Sequence, residues 1–238
     1  MADFIVHTIP GSPFARAVTA TLEEKGADWS IAPLTPGAHK QPPHLARQPF
    51  GRMPVLEHGD FMLYETQAIL RYLDRILPSP PLTPPDPRST ARMDQVMSIN
   101  DWYLFQNCGN IIGFQRVVGP ALLGLSPDEA VIAEAMPRAH VVFAALSDLL
   151  GDRLWFGGDR FSLADLIVAP QVEFFSRTPR MGPAYGRATE PRRMARPCRG
   201  ATLADGNDLE PRRSACRRSS PLTQLTALMA CEPASRVR

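Results

Sequence analysis

The chain has 238 residues, 44% of them hydrophobic and 21% charged, with a formal net charge of +2. That is enough apolar material for one large domain or two small ones, each with a core. No run of 18 or more apolar residues occurs, the Met1-Ala2-Asp3-Phe4 start is not a secretory signal, and four scattered Cys form neither a disulfide framework nor a zinc-type cluster.

A reducing, cytoplasmic setting is the expectation, with no metal, nucleic acid or membrane as partner. Phe4-Ile5-Val6-His7-Thr8-Ile9 reads as a strand closed by Pro10-Gly11. Ser12 then stands as an N-cap with Pro13 at the first helical position, and Gly26 is placed to end that helix in a left-handed conformation. Phe14, Val18 and Leu22 recur every four residues and predict its buried face. Trp29 to Leu34 is a second strand, followed by a Pro/Gly/His-rich loop through Pro43. Pro54 to Tyr64 reads as two short strands around a His-Gly-Asp turn, and Glu65 to Asp74 as a short amphipathic helix.

Six Pro fall within residues 78–87, which predicts a stiff extended linker. From residue 88 the spacing turns helical, through Met93, Val96, Met97, Trp102 and Phe105, and later Val142, Leu146, Leu149 and Leu150. Ser162 with Asp165 three residues on is the carboxylate form of a capping box, and Phe161 and Leu166 are placed for a hydrophobic staple. The fold class is therefore α/β plus all-α. The expected boundaries are an α/β domain over 1–77, a linker over 78–87, a bundle of about four or five helices over 88–178 and an atypical tail over 179–238.

The succession Gly37-Ala38-His39-Lys40-Gln41-Pro42, then Pro49-Phe50-Gly51-Arg52-Met53-Pro54-Val55-Leu56, then Leu63-Tyr64-Glu65-Thr66-Gln67-Ala68-Ile69 resembles the soluble glutathione transferases. Within that family it is similar to the phi class and phi-like bacterial members, over roughly residues 4–178. The resemblance implies a thioredoxin-like N-terminal domain, a helical C-terminal domain, glutathione as co-substrate and a homodimer. It implies that Ser12 donates a hydrogen bond to the glutathione thiolate, helped by the positive end of the first helix. A free thiol, with a pKa near ~8.5, is otherwise mostly protonated at neutral pH. Plain helix capping is the competing role for Ser12.

By the same resemblance His39 and Lys40 bind the glycyl carboxylate, and Met53 pairs its backbone with the cysteinyl residue. Pro54 is cis, Glu65 accepts from the γ-glutamyl ammonium, and Thr66 holds the γ-glutamyl carboxylate. Arg52 stands where the phi pattern usually has Gln, and is placed either to reach a carboxylate of glutathione or to face solvent. Phe14 stands where that pattern usually has Asn, nearer to tau- and omega-like sequences. Omega enzymes carry Cys at the position of Ser12, so thiol–disulfide reductase activity is disfavoured. Phe14, Trp102, Phe105 and Phe114 are the aromatic candidates for the electrophile pocket. Cys108 reads as a buried small hydrophobe.

The implied activity is conjugation of the glutathione thiolate to electrophilic, mostly hydrophobic substrates. A glutathione-dependent peroxidase or isomerase uses the same thiolate, and a transferase-like binding protein uses the same cleft without turnover.

Residues 1–178 carry 14 Lys+Arg against 19 Asp+Glu, whereas residues 179–238 carry 12 Arg against 5 Asp+Glu. A disordered basic tail is one reading of that change. A shifted reading frame is the preferred one. One permitted choice of GC-rich codons for residues 180–209, read one base later, encodes a Pro-Asn-Leu, an amphipathic helix and an Ala-Arg-Pro-Ser ending, as family members do. The expected consequence is a bundle lacking its last helices, with apolar surface left uncovered.

Overall fold

The computed structural model describes residues 3–176. The expectations for the tail, its reading frame and the end of the bundle at residue 178 lie outside the described residues.

The first unit is built on a four-stranded sheet of order β2-β1-β3-β4, from β1 (Phe4–Thr8), β2 (Trp29–Pro33), β3 (Val55–His58) and β4 (Phe61–Tyr64). The β1–β2 pair is parallel, with Val6 opposite Ile31, and needs a crossover helix. That helix is α1 (Pro13–Glu24). Its N-cap is Ser12, with Pro13 in the first turn, and Gly26 follows it at φ 65°. Its buried face is Ala15, Ala17, Val18, Thr21 and Leu22. Phe14 is only half-buried and departs from the predicted stripe, because the first turn overhangs a cleft rather than the sheet.

The antiparallel pairs place Leu56 between Val6 and Leu63, and the β3–β4 turn is made at Gly59 and Asp60. The stretch read as a loop after β2 holds a 3-10 turn (Ala38–Lys40) and one helical turn, α2 (Pro42–Leu45). The last helix of this unit, α3 (Thr66–Ile76), starts one residue later than predicted. Glu65 stands outside it at φ 69° and ψ 113°.

The proline-rich segment is held from both sides. The Asp74 carboxylate accepts from the Leu82 N–H at 3.0 Å and the Thr83 hydroxyl at 2.6 Å. The Lys25 ammonium donates to Asp74 at 2.5 Å and to the Pro80 carbonyl at 2.6 Å. The Leu82 carbonyl in turn accepts from the Leu163 N–H at 3.1 Å, in the helical unit. Pro87, predicted to close the linker, is instead the first residue of α4 (Pro87–Ile99), whose N-cap Asp86 accepts from the Ser89 N–H at 2.9 Å.

The second unit continues from α4 as π-helical backbone over Asn100–Val118, then α5 (Gly119–Leu123), α6 (Glu129–Leu150) and α7 (Leu163–Ser176). The π segment is an i→i+5 arrangement that apolar spacing did not announce. A Cβ on its Gly113 would lie 2.4 Å from the Phe174 ring, so the absence of a side chain there lets α7 approach. Among the described residues α6 is long and apolar enough to cross a bilayer by length and composition, although Glu134, Arg138 and Asp148 interrupt its apolar run. Its Ile132, Ala135, Ala139, Val142, Phe143 and Leu146 are buried in the core instead.

At the start of α7 the Asp165 carboxylate accepts from the Ser162 N–H at 3.0 Å, the Ser162 hydroxyl at 2.8 Å and the Phe156 N–H at 2.9 Å. This is the carboxylate half of the predicted capping box. Burial pushes the Asp165 carboxyl above its ordinary range, against the pull of those hydrogen bonds. One apolar cluster runs from Val6, Leu22 and Leu73 through Met93 and Leu104 to Ile167 and Phe175, so the two units share a core. Ion pairs Arg16–Glu173 and Arg71–Asp94 cross between them. Cys108 is fully buried, and that burial pushes its thiol up to about 12.

Candidate active site

A cavity of about 540 Å³ opens where the first turns of α1 and α3 face the π segment. Ser12, Pro13 and Phe14 line it from α1, His39 and Lys40 from the 3-10 turn, and Arg52, Met53 and Pro54 from the approach to β3. Glu65 and Thr66 line it from α3, and Asp101, Phe105 and Gln106 from the π segment. Ten residues singled out from the sequence therefore meet in one cleft. Trp102 and Phe114 do not line it, and Trp102 is 73% exposed.

Ser12 sits at a helix N-terminus because a Ser-Pro pair caps and starts a helix. Its Oγ accepts from the Ala15 N–H at a long 3.5 Å. Among the described residues its hydroxyl donates to no protein group, so that proton is available to the cavity. The Met53–Pro54 peptide is cis, as expected. The Met53 sulfur accepts from the Ile9 N–H at 3.4 Å, just beyond β1.

His39 and Lys40 lie beside Gly51. At φ 59° Gly51 suits a residue without a Cβ, and a Cβ there would also meet the Lys40 Nζ at 2.9 Å. The Lys40 ammonium donates to the Phe50 carbonyl at 3.3 Å. Burial first, and then the charges of Lys40 and His44, hold the His39 imidazole below its ordinary range. His39 is therefore a neutral hydrogen-bonding group at neutral pH, and Lys40 carries the charge. Arg52 adds a second cation to the lining.

Acidic residues line the cavity as well. Glu65 is exposed, and among the described residues it is the one non-glycine residue with positive φ. Thr66 is 8% exposed at the first position of α3. Asp101 was not foreseen. Burial raises its carboxyl, while Asn100 and Gln67 donate to it at 2.9 and 2.7 Å. No local motif marked it, because what ties it to the cleft is a tertiary contact, the hydrogen bond from Gln67 of α3. Phe14 and Phe105 stack edge-on with ring centres 4.8 Å apart and form an apolar wall. Gln48, Phe50 and Gly51 also reach the cavity, within and beside the quoted Pro49–Leu56 motif. Among the described residues no cluster of three or more His, Cys, Asp or Glu is placed to hold a metal ion.

Residues 6–81 match the family model for the glutathione S-transferase N-terminal domain, and residues 129–217 that for the glutathione S-transferase C-terminal domain. The chain is 36% identical over 168 residues to glutathione S-transferase 3 of Zea mays, covering 69% of this chain and 75% of that one. The chain belongs to the glutathione S-transferase family.

The second family match runs beyond residue 179, into the stretch set apart by its Arg/Pro composition. A glutathione S-transferase of Hyoscyamus muticus is 33% identical over 177 residues, covering 73% of this chain and 82% of that one. Among solved structures of glutathione transferases, F7 from Populus trichocarpa superposes with a TM-score of 0.67 at 29% identity, over 74% of this chain and 84% of that one. Glutathione S-transferase-I bound with lactoylglutathione superposes at 0.66 and 29% identity, over 75% and 85%. The thioredoxin-like domain followed by a helical domain is the fold these transferases share.

Proposed function

We propose that this chain conjugates the thiolate of glutathione to electrophilic, mostly hydrophobic substrates. The observation that carries the reading is a single cleft lined by a helix N-terminal hydroxyl, by the cations Lys40 and Arg52 and by the carboxylates Glu65 and Asp101, the kinds of group that glutathione requires. Glutathione has two carboxylates and one ammonium. The glycyl carboxylate goes to Lys40 and Arg52, with a hydrogen bond from His39. The γ-glutamyl carboxylate goes to Thr66 at the start of α3, and the ammonium to Glu65 and Asp101.

The cysteinyl residue pairs with the Met53 backbone, as an added strand would, which aims its sulfur at Ser12. The Ser12 hydroxyl donates to the sulfur, and the N-terminal end of α1 favours the anion. Together they lower the thiol pKa by roughly one to two units. The sulfur lone pair then forms the bond to carbon, and the leaving group departs with its electron pair. Phe14 and Phe105 supply the apolar wall against which the electrophile lies. Ser12 stays protonated throughout and is not the nucleophile.

A homodimer accompanies this reading. It is supported by large apolar side chains left exposed on the first unit, Phe50 at 65%, Phe61 at 44% and Met62 at 38%. Saturable, glutathione-dependent conjugation of a chlorinated dinitroarene tests the activity. Glutathione binding without turnover of any of a panel of electrophiles would leave a binding protein, and no binding would remove the reading.

A further inference from the structure

The backbone proposed to hold the cysteinyl residue lacks a strand of its own. Residues 52–54 precede β3, which begins at Val55, so no sheet ladder fixes them. A peptide edge in that position needs other partners for its polar atoms. Two buried side chains supply them. The Gln48 Oε1 accepts from the Arg52 N–H at 3.0 Å, and the His44 Nε2 lies 2.7 Å from the Arg52 carbonyl oxygen. That oxygen can only accept, so Nε2 carries the proton and donates. His44 is 2% exposed and Gln48 1%.

We propose that His44 and Gln48 are positioning residues for glutathione, which clamp the Arg52 peptide from both sides and so fix the Met53 edge and the direction of the Arg52 side chain. The proposal rests on the glutathione reading of the cleft. Both clamp residues sit on a continuous local scaffold. The His44 N–H donates to the Gln41 carbonyl at 3.0 Å, the Gln48 N–H to the His44 carbonyl at 2.9 Å, and the Gly51 N–H to the Gln48 carbonyl at 3.0 Å. On the far side Met53 is tied through its sulfur to Ile9. The peptide edge is thus held one residue before the ligand-pairing position and at that residue's own side chain. A pre-organised edge binds without the cost of ordering a loop. The clamp touches neither Ser12 nor α1, so it governs affinity and leaves thiol ionisation alone.

The experiment is isothermal titration of glutathione, with the pKa of the bound thiol read from thiolate absorbance. It compares the full chain with His44→Leu, Gln48→Leu and the milder Gln48→Asn, which draws the acceptor back by one methylene. His44→Gln, which retains an N–H donor, and Gln48→Glu, which retains an acceptor, are the rescue variants. The expected result is a Kd raised about tenfold in the Leu and Asn variants, with the bound-thiol pKa unchanged and much of the affinity restored in the Gln and Glu variants. Unchanged affinity in the Leu and Asn variants, or loss of affinity together with a shifted thiol pKa, overturns the clamp. If the Leu variants do not fold, Gln48→Asn decides alone. An unaltered chain that binds no glutathione defeats the reading of the cleft itself, whereas an unaltered chain that binds beside variants that bind equally well defeats only the clamp.

Discussion

Glu65 couples an uncommon backbone conformation to a proposed ligand contact, and the two can be separated with two variants. At φ 69° and ψ 113° the residue lies outside the usual regions for an L side chain. Such a conformation costs about 1–3 kcal/mol in the folded state. Glu65→Gly removes that cost but adds about 0.5–1 kcal/mol of unfolded-state entropy. The net expectation is a gain of about 1 kcal/mol, or a Tm higher by roughly 2–4 °C. Glu65→Ala keeps the Cβ and the strain, and the exposed side chain makes no cap hydrogen bond, so its stability stays near that of the parent. Both variants lose the carboxylate proposed to accept the γ-glutamyl ammonium, and both lose about tenfold in glutathione affinity. Thermal melts and titration calorimetry read the two effects independently. A Gly variant no more stable than the Ala variant would refute the strain, and parental affinity in both would remove Glu65 from the site.

Asp165→Ala leaves the Phe156 and Ser162 N–H groups without their buried acceptor. At ~1–3 kcal/mol for each, this costs roughly 2–6 kcal/mol in a urea melt, and a loss below 1 kcal/mol would contradict the account of the α7 start. Asp74 sets an acid limit. Burial alone would raise its carboxyl, but hydrogen bonds from Lys25, Thr83 and Leu82 together hold it below the ordinary carboxylate value. The folded pKa is thus depressed, so its contribution is present above that value and is lost as pH falls below it. Asp74→Asn flattens this part of the stability–pH curve, and an unchanged slope there would remove Asp74 from the anchoring of the proline-rich segment. Gly113→Ala drives a Cβ into the Phe174 ring and costs about 1–3 kcal/mol, read from the shift in denaturation midpoint.

The first unit was the more legible because its signals are local. Ser12-Pro13 and Gly26 set the ends of α1, Gly59 and Asp60 the hairpin turn, and the quoted motifs carried Lys40, Met53 and Thr66 to the cleft. The one-residue shift at Glu65 arose because its positive φ has no mark in the sequence. The clamp was hidden for a different reason. His44 and Gln48 lie in a stretch whose prolines read as loop, and their partner is the backbone of Arg52. In the helical unit the candidates were phased with a 3.6-residue period, whereas the backbone from Asn100 to Val118 is π-helical. Phe105 still reaches the cavity, Trp102 points to solvent, and Asp101 lines the site unannounced.

The central claim is that Ser12 stabilises the glutathione thiolate at the N-terminus of α1. Its most direct test is the pH titration of thiolate absorbance for bound glutathione in the full chain and in Ser12→Ala. The account predicts a bound-thiol pKa below the free value of about 8.5 in the parent, and higher by about one unit in the variant. The same thiol pKa in both proteins would contradict it.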